Sequence, residues 1–461
     1  MQTVVTVLGG AVGFMIGAAG GPAGAWEGAK WGLTIGAMVG GYLYPPTSGV
    51  SRPNVAGLDV TAPQKGQVLP VVYGKQRITG TIIWYGAFTK NESDSGGSGG
   101  GGKGGGMETY SAGFAVALGE GQIGSLTKMW ANGDPVTLAD ISYAYYPGIA
   151  APGADPYMAG HLAAGQFNLV YPHVCYVVIE DYDLGYSTAM PNFTFEVVRT
   201  TANLVAGNAR LTTLGLNAYD EDANGDMNPV TCLADFLTHP RYGLNLPAAE
   251  LDAASFVEQA AWCETNLLFA SPILDTADAG LGHIEHLLSY FDGILIYSEG
   301  VFKVRSRRSP AREVLDYTVL DWRDWLEGAS PRLSREVDRT MPNSVAVEYL
   351  LRTNDYNQAV VERQDDWDVG VRGQYRQQIS LPGVTTSAVA DLLAAKFLWS
   401  RVVAPFTVEF GLGPQGMWYE PGDLIALKGT EFYALEGALM RIVAIKEEPD
   451  RTYAITAVEE R

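Results

Sequence analysis

The stretch from Gln67 to Asn132 constrains the fold most, because it sets two β-rich patterns on either side of an almost pure glycine run. Val68 to Trp84 is rich in β-branched and aromatic residues and is broken by Gly74 and Gly80. Such a composition fits a pleated, half-buried surface and reads as two short strands. Tyr110 to Leu118 and Leu126 to Trp130 repeat the pattern around Gly119-Glu120-Gly121-Gln122-Ile123-Gly124, where glycine supplies the backbone freedom that a reversal needs. Between the two patterns, Ser95 to Gly106 holds nine glycines and Lys103, too few side chains to pack a core, and so reads as a long flexible loop. Its Gly97 to Lys103 spacing imitates a phosphate loop. However, Gly104 stands where a Ser or Thr should ligate magnesium, and no helix pattern follows, so nucleotide binding is rejected.

At 461 residues the chain exceeds one ordinary core and calls for three or so domains. The formal charge of −20 argues against a surface that grips nucleic-acid phosphates, although an acidic wall along a DNA passage is compatible with it. Cys175, Cys232 and Cys263 are odd in number and widely spaced, which points to neither a disulfide framework nor a zinc site.

Residues 1–26 carry no charged side chain; Glu27 and Lys30 interrupt, and residues 31–51 are again uncharged. Gly9, Gly13, Gly17 and Gly21, then Gly24, Gly28, Gly32, Gly36 and Gly40, recur every four residues. That step lays each series along nearly one helix face, where a missing side chain lets another backbone approach closely. Pro22 divides the two halves into a hairpin. The first cation is Lys30, so a secretory signal is rejected. Two readings stay open: a membrane-active segment, or helices buried against one another as a plug inside an oligomer.

The rest divides into residues 45–205 as a first β domain carrying loop 95–106, residues 206–312 as a mixed α/β domain, and residues 313–461 as a second β region. Asn228-Pro229 announces a helix ending near Thr238, and Asp252 caps another through about Glu264. Ile284, Leu287, Leu288 and Phe291 have helical spacing, Gly293 to Val304 reads as a hairpin turning at Glu299-Gly300, and one helix spans 387–401. The fold class is mainly β with an α/β insertion.

Chemistry-bearing clusters are sparse. His283 and His286 have a chelating spacing without the HExxH arrangement, and the neighbouring Ile284, Leu287 and Leu288 place them in a core. Asp220, Asp222 and Asn224 resemble the start of a calcium loop, but Thr231 replaces the bidentate Glu and Pro229 interrupts, so they read as an acidic turn and weak metal candidates. Glu180, Asp181 and Asp183 supply acids but no pair across a cleft. No nucleophile constellation is present in the sequence pattern, so neither an enzyme nor a cofactor is expected.

Several stretches together resemble one family, the tail-tip hub proteins of long-tailed bacteriophages, related to lambda-like tip attachment proteins and gene-transfer-agent tails. They are Leu69-Pro70-Val71-Val72-Tyr73-Gly74 with Ile83-Trp84, the glycine run at 101–105, Phe114 to Ile123 with Trp130-Ala131-Asn132-Gly133, and Tyr146-Pro147-Gly148. Tyr176-Val177-Val178, Pro191 to Val197, Asn228-Pro229 with Pro240-Arg241-Tyr242-Gly243, Pro342-Asn343 and Pro421-Gly422-Asp423 complete the set in family order. The resemblance implies a trimeric virion hub with tube-like β-barrels in a pseudo-sixfold ring, matching a hexameric distal tail ring at the tail tip. It also implies attachment of the tape measure protein and passage of viral DNA without specific binding. The chain stops soon after the last barrel-like region, so a separate central fibre or tip protein is expected. On this reading residues 1–44 plug the lumen; a membrane pore acting through them is the alternative, with host membrane as partner.

Overall fold

Apolar alternation in the first half of the chain produces antiparallel strands, and single glycines decide where those strands leave one sheet for another. The computed structural model describes residues 68–92, 108–162, 167–186, 190–306, 317–320, 331–335, 342–402, 406–428 and 438–459. The glycine stripe of residues 1–44 and the glycine loop 95–106 lie outside them.

The first unit contains β1 (Val71–Val72), β2 (Gly74–Thr79), β3 (Thr81–Glu92), β4 (Glu108–Glu120), β5 (Ser125–Ala131), β6 (Asp134–Val136) and β7 (Ser142–Pro147). A short helix α1 (Pro156–Gly160), β8 (Val174–Gly185) and β9 (Phe193–Arg199) follow. The two strands expected over Val68 to Trp84 are three, because the chain breaks at Tyr73 and again at Gly80, and the third strand runs on to Glu92. A side chain at Gly80 would begin 2.2 Å from Val116 Cγ1 and 2.9 Å from Phe195 Cε2, so only glycine lets the chain turn this corner. The strands form two four-stranded antiparallel sheets, β2-β9-β5-β6 and β3-β4-β8-β7. Register aligns Ile78 with Phe195 and Phe195 with Met129 on one face. That face packs on Phe114, Val116, Val177 and Ile179 of the other sheet.

The second unit is helical with a ribbon: α2 (Thr201–Gly207), α3 (Arg210–Thr213), α4 (Pro229–Thr238), α5 (Ala253–Thr265), β10 (Ile273–Leu274), α6 (Gly280–Ser289), β11 (Gly293–Ser298) and β12 (Val301–Ser306). The Asn228 side chain accepts from Val230 N at 3.1 Å with Pro229 next in the helix, and Asp252 accepts from Ser255 N at 3.1 Å. Each cap satisfies an amide that its helix leaves free. Every residue of α4 is buried, so this is a core helix surrounded on all sides. The β11–β12 hairpin turns through Glu299 and Gly300 at φ 52° and 85°, the left-handed pair that suits the twist of a two-residue hairpin.

Beyond it lie β13 (Tyr317–Leu320), β14 (Arg332–Arg335), β15 (Ser344–Leu351), β16 (Asn357–Gln364), α7 (Asp366–Arg372), β17 (Arg376–Ser380) and α8 (Ser387–Val402), then β18 (Phe406–Leu412), β19 (Leu424–Leu427), β20 (Leu439–Glu447) and β21 (Tyr453–Glu459). β15 pairs antiparallel with β16 and parallel with β17. The crossover between β16 and β17 carries α7, which the sequence reading missed although Asp365 caps it through Trp367 N and Asp368 N. The remaining strands form one sheet, β13-β19-β20-β21-β18-β14, over its own core of Val408, Ile425, Ile442 and Ile455. A mainly β protein with an α/β insertion is borne out.

The largest core joins Leu233 of α4, Phe256 of α5 and Leu287 of α6 to Val347 of β15 and Leu393 of α8. It shares no residue with the sandwich core. Phe195→Ala empties a fully buried site in the latter and is expected to cost about 3–5 kcal/mol. Urea unfolding monitored on the sandwich checks this, with Asp140→Ala, at an exposed position, as the near-neutral control.

Candidate functional site

Strand alternation leaves one face of β2, β9 and β5 polar: Lys75, Arg77, Thr194, Glu196 and Lys128 with Trp130. In an isolated sandwich this face would meet water. Here it is covered by the 352–356 loop between β15 and β16, and Glu196 is fully buried. Tyr356 OH donates to Glu196 Oε2 at 2.9 Å, and Thr127 Oγ1 donates to Glu196 Oε1 at 2.7 Å. Lys75 and Lys128 stand 3.5 and 3.6 Å from the same carboxylate. Arg77 donates to Thr194 Oγ1 and to Asp355 O, both at 3.0 Å, with its guanidinium 4.0 Å above the Trp130 ring.

A second cluster closes the joint from the helical side. Arg352 forms an ion pair with Asp226 and donates to Lys75 O and Asn224 O, each at 2.9 Å. Asp226 also accepts from Ser271 Oγ at 2.5 Å and Thr385 Oγ1 at 2.7 Å. Gln76 Nε2 reaches Ser271 O and Pro382 O at 3.2 and 3.0 Å. Three parts of the chain, residues 75–77, 224–271 and 352–385, thus meet through charged and polar groups with their bonding largely satisfied, the condition for burying charge without a large penalty.

A third cluster surrounds Asp235, which is fully buried in α4. Tyr73 OH and Tyr242 OH donate to its Oδ2 at 3.1 and 2.5 Å, and Asn208 donates to Oδ1 at 3.0 Å. The buried Arg199 donates to Val72 O and Tyr242 OH. Burial drives the Tyr73 phenol well above its ordinary range, and the Asp235 charge adds to this, so the phenol stays protonated and donates. His239 stacks on Tyr242 with ring centres 3.6 Å apart. Burial, only partly opposed by Asp235, pulls its pKa down to about 4.

Of the residues singled out in the sequence, Asp222 is turned onto its own loop, accepting from Asn224 N at 2.9 Å and Asp226 N at 2.8 Å. Asp220 is exposed, and Asn224 offers its carbonyl to Arg352. No group of three or more His, Cys, Asp or Glu side chains among the described residues is placed to hold a metal ion. His286 faces Tyr290 OH at 3.1 Å, whereas His283 meets the edge of Phe236. Asp181 accepts from Tyr157 OH, and Asp183 from Gly185 N, on the exposed end of β8. Beside the joint, a cleft of about 800 Å³ is lined by Leu69, Val71, Phe236 and Leu244, with Arg241 paired to Glu120 at 2.7 Å.

The sequence reading missed Glu196, Arg352 and Tyr356. One signal was present: Lys75, Arg77 and Glu196 sit in phase with each other on strands otherwise rich in apolar residues. The same pattern marks an ordinary solvent face, so alternation alone did not separate the two.

The electrostatics set a pH response. Burial also lowers His286 to about 4. Two histidines that stay neutral when folded but protonate near pH 6.5 when unfolded give stability that is full above about pH 6.5 and is lost as the pH falls toward about 4. Burial alone would raise the Glu196 carboxyl, yet the bonds from Thr127 and Tyr356 and the two lysines outweigh it and hold it below its ordinary value. Its contribution is therefore lost at still lower pH. Urea midpoints measured from pH 8 to 4 should be flat above pH 7 and fall below about 6.5, with a shallower fall in His239→Gln and His286→Gln.

Comparison with known proteins agrees with a structural role. Residues 282–445, from within α6 into β20, match a family described as putative phage tail protein. A chain from the virion of a native gene transfer agent particle has a similar fold, with a TM-score of 0.63 at 21% identity over 97% of this chain and 96% of that one. Prophage tail proteins of Listeria monocytogenes and Shewanella oneidensis align with TM-scores of 0.32 and 0.32. Their identities are 11% and 12%, over 84% and 85% of this chain and 87% and 98% of theirs. No curated protein matches the sequence. The resemblance read from the sequence is borne out: part of the chain matches a phage tail family, and a gene transfer agent virion chain shares its fold.

Proposed function

We propose that the protein is the hub at the distal end of a phage-type tail, where three copies close the tube and dock on a distal tail ring. In this reading the hub holds the end of the tape measure protein and a separate fibre or tip protein, and it opens for DNA. Residues 1–44 fill the lumen, their glycine stripes packing helix against helix. The observation that carries the proposal is the correspondence of fold with a chain of a gene transfer agent virion along almost the whole length. It is supported by the tail family match in the second half.

Surface chemistry supports assembly with other chains. β3, β4 and β8 contain 12, 13 and 12 residues, about 40 Å of strand each. Tyr85 and Phe88 on β3 and Tyr186 just after β8 are 62%, 57% and 65% exposed. Exposed aromatics near one another on a surface are characteristic of protein interfaces. Trp367 with Val371 on α7, and Met417 with Trp418 before β19, add further exposed apolar side chains. Contacts on several units suit a chain whose neighbours lie on more than one side.

Native mass spectrometry of the purified protein is expected to give a trimer, and a larger complex on adding the distal tail protein. Tyr85→Ser combined with Phe88→Ser should reduce the trimer fraction at least tenfold while circular dichroism stays unchanged. A monomer that ignores the distal tail protein, yet conducts ions in liposomes unaided, would overturn the hub reading in favour of a membrane pore.

A further inference from the structure

The sandwich of residues 74–199 is joined to the rest of the described protein in an unusual way. Its connections to the flanking chain are at Gly74 and Arg199, and these two residues are partners in the β2–β9 register. Both links therefore lie side by side at one end of one strand pair. Gly74 has φ +66°, and a side chain there would begin 2.4 Å from Ser271 Oγ and 2.9 Å from Gly225 O. Beside this pair Val72 enters the sandwich core and Ile273 of β10 packs against it; away from it the contacts are polar, such as Gln76 with Ser271 O and Pro382 O and Arg241 with Glu120, and the two apolar cores share no residue.

On the polar face of β2, β9 and β5, the covering loop makes its contacts from a turn. Asp355 and Tyr356 are consecutive non-glycine residues with φ of 50° and 61°, the left-handed turn that closes the β15–β16 connection, with Tyr356 N donating to Leu351 O at 3.0 Å. From this turn the loop bonds across the seam: Asp355 O accepts from Arg77, Tyr356 OH donates to Glu196, and Arg352 reaches Asp226 and Lys75 O. The Tyr356 side chain is completely buried at this point. A loop held by a few directional bonds, opposite two adjacent covalent links, has the form of a hinge with a latch.

We propose that the 74–199 sandwich swings as a rigid body about the paired Gly74 and Arg199 links, and that the 352–356 loop is the latch that holds it closed. Closed and released states exchange, and each latch bond biases the balance toward the closed one. Such a motion would give a tube-closing hub a way to change shape. That connection rests on the tail reading, whereas the hinge is a property of this chain alone and is tested on it alone.

The test is a distance measurement across the seam. Cys175, Cys232 and Cys263 are buried, so spin labels attach selectively to Asp134→Cys on the sandwich and Glu264→Cys on α5, both exposed. Electron–electron double resonance is expected to show one narrow distance in the parent. Adding Tyr356→Phe, which removes only the hydroxyl, or Arg352→Gln should add a second, longer distance holding at least a tenth of the molecules. Circular dichroism should remain that of the parent, and the urea midpoint should stay near the parent's in Tyr356→Phe, whereas Arg352→Gln lowers it because Asp226 loses its ion partner. If both variants keep the single narrow distance, or lose it only together with the global fold, the hinge is wrong. The trimer measurement is independent, so failure of the hub reading and failure of the hinge are distinguishable.

Discussion

The Arg352–Asp226 ion pair is the contact on which the arrangement of the units depends. It gathers β2 through Lys75 O, the 222–226 turn through Asn224 O, and, through Asp226, the side chains of Ser271 and Thr385. A buried pair of this kind adds little net stability compared with well-packed apolar groups, because both charges lose water. What it supplies is geometry: breaking it leaves an uncompensated charge, at about 3–5 kcal/mol, so units that misalign are penalised strongly. An apolar seam would tolerate sliding.

The same logic explains why the polar clusters stand between the apolar cores. Inside each core, Leu, Val and Phe fill space without directional demands. At the seam, Glu196 and Asp235 each require several donors at defined angles, and Tyr356, Thr127, Tyr73, Tyr242 and Asn208 provide them. The β11–β12 ribbon meets the six-stranded sheet in the same manner, with Lys303 and Ser298 on Glu420 and Arg305 on Asp423. Directional joints between stiff units suit a chain that bears forces between neighbours, as the proposed hub would. The fold by itself does not assign that task; residues 282–445 match a family described as putative phage tail protein.

Local features were legible in the sequence because local physics decides them. Asn228 before Pro229, Asp252, the Glu299-Gly300 turn and the α8 stretch each carry their own cap, turn or periodic signal, and each forms as expected. The break at Gly80 was marked by the glycine itself, but its cause and the resulting three strands were not legible, since they depend on Val116 and Phe195 from distant strands. Nor was the order β13-β19-β20-β21-β18-β14, which sets Tyr317 beside Leu424 and Arg332 beside Glu409. The joint was hidden for a different reason: Lys75, Arg77 and Glu196 alternate as a solvent face does, and only the 352–356 loop turns that face into an interior. The acidic 220–226 turn was visible as a motif, but its role as a backbone platform for Arg352 belongs to tertiary structure.

A double-mutant cycle on the joint tests the central claim, that a charged contact rather than apolar packing fixes the units together. Urea unfolding of the parent, Arg352→Met, Asp226→Ala and the double variant isolates the pairwise term. The account predicts a coupling of about 1.5–3 kcal/mol, with the double variant less destabilised than the sum of the singles. Additivity within about 0.5 kcal/mol would contradict it and return the seam to ordinary packing.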